Sequence, residues 1–127
     1  MNNNLLALIT VAKNEGMTAV DFGKKSGAVF APNWDENTSF EQFVNFNLYS
    51  WACLAEDVQI IEQSNEKVII KASSLYRPLE EQGVFFDTSV EDYTAFFSSM
   101  LSVIAVHIGY SYELTMAEEG YRMVITK

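Results

Sequence analysis

The sequence of 127 residues is poor in the groups on which most recognisable chemistry depends. It contains one cysteine and one histidine, Cys53 and His107, so no intrachain disulfide can form and a metal site of imidazoles or thiolates has too few ligands. A solitary thiol fits a reducing compartment. Arg77 and Arg122 are the only arginines, and 17 acids against 8 bases leave a net charge of −9. That balance offers no electrostatic footprint to phosphate backbones or anionic lipid, which argues against a nucleic-acid partner. The apolar run from Leu5 to Ala12 is short and lacks a basic leader. It is followed by Lys13 and Glu15 rather than a small-residue cleavage site, so a cytoplasmic protein is expected. There is no low-complexity tract, and the chain is long enough to bury a core, so residues 1–127 are read as one domain.

The most informative absence is local. From Tyr93 to Tyr112 there is no Asp, Glu, Lys or Arg. Thr94, Ser98, Ser99, Ser102, His107 and Gly109 interrupt the apolar character of this stretch, which argues against a membrane span. The spacing predicts a helix over about Val90 to Ile108. One stripe carries the small residues Ala95, Ser98, Ser102, Ala105 and Gly109, and another carries Phe97, Leu101, Ile104 and Ile108. Large residues fill a core, whereas small ones admit another backbone or leave a hollow. A helix with no charged face must be covered nearly all round, by its own sheet and helices or by a partner subunit.

Around this helix the pattern predicts an α+β fold. Leu5, Leu8, Ile9 and Ala12 have helical spacing, with Asn residues at the start and Gly16 at the end. A second helix is expected over "TAVDFGKKSGAVFAP", where Gly23 and Gly27 cost helix stability but allow close approach of another backbone, and Pro32 ends it. Thr38 with Glu41 and Ser39 with Gln42 both have capping-box spacing before a third helix from about Phe40 to Leu54. Period-two alternation in "DVQIIEQ" and "KVIIKAS", and again in "YSYELTM" and "YRMVITK", predicts two β-hairpins forming one four-stranded antiparallel sheet. Between the hairpins "LYRPLEEQG" reads as a short helix, and Ser89 with Asp92 caps the long one.

That order of elements, with "KASSLYRPLEEQG" after the second strand and "GYSYEL" and "GYRMVI" closing the chain, resembles the vinyl-reductase-type ligand-binding domains and the related TRAPP vesicle-tethering subunits over about Thr38 to Ile125. The resemblance implies an apolar cavity between long helices and the sheet, a hydrophobic or fatty-acid-like guest, and a homodimer formed through helices. Many relatives place cysteines near the positions of Ser73 or Ser74, Thr88 and Met123, and haem-binding relatives carry a Tyr-x-Ser-x-Arg motif. This chain has neither feature, so neither a metal nor a cofactor is expected.

The candidate ligand-binding residues are Trp51, Cys53, Tyr76, Arg77, Phe97, Met100, Leu101 and His107. Arg77 with Tyr76 would hold a polar head group at the mouth of the cavity, and the aromatic and thioether side chains would form its walls. The expected function is non-enzymatic binding or sensing of a small apolar molecule. Two alternatives stand beside it: a hydrolase of the same broad fold group using Cys53 or His107, and a dimerisation scaffold with a solid core.

Overall fold

The computed structural model describes residues 2–127. Helix α1 spans Asn2–Asn14 and α2 spans Ala19–Phe30, which passes into a 3₁₀ turn, Ala31–Asn33, at Pro32. Thr18 caps α2 by accepting a hydrogen bond from Asp21 N. Helix α3 follows over Phe40–Leu54. Of the two capping boxes expected before it, only Ser39 with Gln42 forms, because the Thr38 hydroxyl donates instead to the Asp35 carbonyl at 2.6 Å. Strands β1 (Gln59–Gln63) and β2 (Lys67–Ala72) make the first hairpin, and the short helix α4 covers Arg77–Gln82. A two-residue pair, β3 (Val84–Phe85) and β4 (Thr88–Ser89), leads into the long helix α5, Val90–His107. Strands β5 (Ser111–Ala117) and β6 (Gly120–Thr126) close the chain.

The two hairpins form the expected single antiparallel sheet, in the order β1-β2-β6-β5. Register follows burial: Val68 opposes Ile125 and Ile70 opposes Met123, and all four side chains are buried on the inner face. The outer face carries Lys67, Lys71 and Arg122 and faces solvent. Two features were invisible in the pattern. One is a bulge in β1 between Ile60 and Glu62. The other is the β3–β4 turn, where Phe86 and Asp87 take φ values of 53° and 55° without being glycine, a conformation stabilised by its docking on α1. There the Thr10 hydroxyl donates to the Phe86 carbonyl, and Lys13 pairs with Asp92 at 2.7 Å.

Helix α5 is the hub. One side joins the sheet, packing Leu101, Ile104 and Ile108 into the same buried cluster as Val68, Ile70 and Met123. A second side meets α2 through its glycines. A Cβ built on Gly23 would overlap Ser99 Oγ and the Phe96 carbonyl, and one on Gly27 would lie 2.7 Å from the Met100 carbonyl. The backbones therefore approach closely because the side chains are missing. The third side faces α3 across large aromatic rings, with Trp51 on Phe97 at 5.3 Å between centroids. Among the described residues no helix is long and apolar enough to cross a membrane. The charge-free helix is covered by the sheet, α2 and α3 but not all round as expected, for Val106 is left 68% exposed. At its C-terminus Gly109, at φ +90°, turns the chain into β5.

Candidate functional site

The residues singled out from the sequence divide into four places. Trp51, Phe97, Met100 and Leu101 come together, with Phe46, Asn47, Ser50 and Leu54, around a crevice of about 130 Å³ between α3 and α5. This is an apolar notch with room for little more than a few methylene groups. Its polar neighbours are already committed: the Asn47 side-chain amide donates to the Phe43 carbonyl at 2.9 Å, and the Trp51 indole N–H donates to Tyr112 Oη at 3.2 Å. Burial pushes the Tyr112 phenol well above its ordinary value, so it stays neutral as the acceptor of the indole proton.

Arg77 does not stand at the mouth of that crevice. It begins α4 and holds Glu56 through two hydrogen bonds, Nε to Oε2 at 2.9 Å and Nη2 to Oε1 at 2.8 Å. The pairing keeps the Glu56 carboxyl below its usual range. The pair also reinforces the bridge between Glu56 and Ser74, so Arg77 tethers the start of α4 to the segment that follows α3. Tyr76 donates its hydroxyl to the Asn3 side chain and stacks near Tyr93, which is a contact between α1 and the start of α4. Cys53 is exposed on the last turn of α3. The His107 Nε2 lies 3.3 Å from the Trp34 carbonyl, where Trp34 packs on Phe46, a residue about two turns of α3 before Cys53. The imidazole, at the end of α5, and the thiol, in the last turn of α3, thus each have a neighbourhood of their own.

A larger hollow lies on the opposite side of α5. It is an open groove of about 870 Å³ whose floor is Ala95, Ser98 and Ser102 of the small-residue stripe together with Ser99, whereas Ala105 of that stripe is buried in the core and Gly109 lies beyond the floor. The α2 wall supplies Val20 and Lys24, and the edge strand β5 supplies Tyr112 through Met116. Where the family resemblance implies an enclosed cavity, the concavity beside the stripe is open along its length. The reason is topological: α2 and β5 each pack on α5 far more than on each other.

The floor looks polar in sequence but behaves otherwise. Thr94 Oγ1 donates to the Val90 carbonyl at 2.8 Å and Ser99 Oγ to the Val20 carbonyl at 2.8 Å. Ser98 Oγ accepts the Leu114 N–H at 3.2 Å. This last bond fills the outward donor of an edge strand, so β5 is blunted against pairing with another strand. With those three hydroxyls bound to backbone, most of what remains to meet a guest is apolar, Val20, Val103, Val106, Leu114 and Met116, and the Ser102 and Thr115 hydroxyls are its polar points. Val106 is 68% exposed, Met116 48% and Val20 40%, a set of large apolar side chains bordering one concavity. Charged groups stand at its margins, Lys24 on α2, Glu91 at the start of α5 and Glu113 on β5.

Sequence reasoning located the small-residue stripe but not the groove's walls. Val20, Lys24, Glu113 and Met116 come from elements distant along the chain, and only the packing of α2 and β5 on α5 brings them together. The one local signal was Val106, an apolar residue at a position with no core partner. No family model matches the chain, and no curated protein does.

Proposed function

We propose that this protein is a non-enzymatic binding module whose working surface is the groove along α5, where it takes up the apolar part of a guest. The reading rests on the lining: Val20, Val103, Val106, Leu114 and Met116 border a hollow of about 870 Å³ in which the Thr94, Ser98 and Ser99 hydroxyls are already bonded to backbone. Apolar concavities with few free polar groups bind by burying surface, at about 25 cal/mol per Å² before association costs. A hydrolase using Cys53 or His107 has less support. Cys53 is exposed in the last turn of α3, while the His107 imidazole lies against the Trp34 carbonyl ahead of α3, which gives the two no mutual support as nucleophile and base.

The experiment is a titration with the uncharged fluorescent apolar probe Nile red. Ser102→Trp, which fills the middle of the floor, is expected to lower probe affinity at least tenfold with an unchanged circular-dichroism spectrum. Met100→Ala, which enlarges the crevice facing α3, is expected to leave the probe in place. The opposite pattern moves the binding surface to the α3 side and defeats the proposal.

A further inference from the structure

We infer that the guest of this groove is a basic amphipathic helix of a different protein. The inference rests on the reading of the groove as the working surface and goes on to name its occupant. Length comes first. From Glu91 to Val106 the floor runs along α5 for about 22 Å at about 1.5 Å per residue, the length of a four-turn helix. Openness is the second consideration. A small-molecule site encloses most of its ligand, whereas this groove leaves one whole side of its occupant uncovered, as a groove for a helix does. The small side chains of Ala95, Ser98 and Ser102 let such a helix approach closely, and Val20, Val106 and Met116 can receive its apolar stripe.

An added strand is the other way for a peptide to dock beside an edge, and the local chemistry disfavours it. The Leu114 N–H is bonded to Ser98 Oγ, which stands where the carbonyl of an incoming strand would have to be.

Charge selects the sign of the helix. The lining carries Glu91 and Glu113 against Lys24, on a chain whose net charge is −9. An acidic helix, or a fatty acid presenting its carboxylate, meets repulsion both at the margin and from the whole molecule. A helix with lysines flanking its apolar stripe meets attraction from both. Charge also disfavours a second copy as the source. Lys13 gives α1, and Lys24 with Lys25 against Asp21 gives α2, a net of only one positive charge each, α3 and α5 are acidic in their first turns, and any second copy brings the same net charge of −9 with it.

The test uses two synthetic peptides of about sixteen residues with the same leucine stripe, one with lysine and one with glutamate on the polar face, alongside palmitate. Each is titrated against the Nile red complex and followed directly by fluorescence anisotropy. The lysine peptide is expected to displace the probe and to bind at least tenfold more tightly than the glutamate peptide, with the gap shrinking in high salt. Glu113→Lys combined with Glu91→Gln is expected to remove that preference while keeping the probe. Glu113→Lys alone, on an exposed strand position, serves as the second variant should the helix start be weakened. Equal binding of the two peptides, or displacement by palmitate and not by the lysine peptide, overturns the inference and leaves the groove reading intact. Failure of the probe itself to bind the groove removes both.

Discussion

Replacing Gly23 by alanine tests the close approach on which the groove's α2 wall depends. Inside a helix this change alone should stabilise the protein by about 1 kcal/mol, because glycine has the larger backbone entropy to lose. Tertiary packing reverses the sign. The new methyl group would overlap Ser99 Oγ and the Phe96 carbonyl. The serine hydroxyl can rotate away, but it then gives up its 2.8 Å bond to the Val20 carbonyl, at a cost of about 1 kcal/mol. The Phe96 carbonyl belongs to the α5 backbone and cannot rotate, so α2 must lift off, an overpacking cost of about 1–3 kcal/mol. The net is a loss of about 1–3 kcal/mol. For a chain of this size that corresponds to a fall in Tm of about 4–12 °C. Thermal and urea unfolding followed by circular dichroism measure it, with Ala28→Gly as the control. Ala28 is exposed on the same helix, so that change should cost about 1 kcal/mol from propensity alone. If Gly23→Ala raises Tm, the two helices are not in contact through the glycine face, and the groove's α2 wall is wrongly placed.

Other consequences follow from single contacts. Tyr112→Phe strands the buried Trp51 indole N–H and should cost about 1–3 kcal/mol in urea unfolding, an effect that disappears in a Trp51→Phe background. Ser89→Ala removes the capping box of α5, in which the Ser89 hydroxyl accepts the Asp92 N–H at 3.0 Å, and should cost about 1 kcal/mol. Arg77→Met should alter the acid limb of stability and nothing in the groove. Glu56 is held below its ordinary 4.5 by Arg77, so its contribution is present above that pH and is lost as pH falls through the lowered value. Urea unfolding at a series of pH values should therefore show a shallower acid decline in the variant, with probe affinity unchanged.

The order of elements and the sheet were legible because each rests on local chemistry. Alternation placed Val68, Ile70, Met123 and Ile125 on one face, and the Ser39–Gln42 and Ser89–Asp92 spacings marked the starts of α3 and α5. The glycines of α2 were legible too, since a pair four apart in a helix has few uses other than close packing. What stayed hidden is non-local. Nothing around Arg77 announces that its partner is Glu56, 21 residues away, and nothing around Trp51 reveals that its crevice and the small-residue stripe lie on opposite sides of α5. The β3–β4 turn was hidden for a different reason: Phe86 and Asp87 occupy a conformation that turn chemistry assigns to glycine or asparagine, and tertiary contacts with Thr10 and Lys13 hold them there.

The missing charge on α5 separates structural from functional causes residue by residue. At position 98 a serine is needed to bond Leu114 N, and at 99 another bonds the Val20 carbonyl beneath Gly23. Leu101, Ile104 and Ala105 are core, and a charge there would be buried. Val106 has none of these reasons. It is 68% exposed in the last turn of the helix, where a lysine would have better helix propensity than valine and would lie favourably in the helix dipole. Val106→Lys should therefore leave stability unchanged or raise it by about 0.5 kcal/mol, so its apolar identity is costly unless something covers it. If the groove receives a guest there, the same variant should weaken Nile red binding at least tenfold, and a basic helix more strongly than the probe. A variant that is more stable and binds as before would mean that Val106 has no partner. The charge-free surface of α5 would then be an accident of packing rather than a binding face.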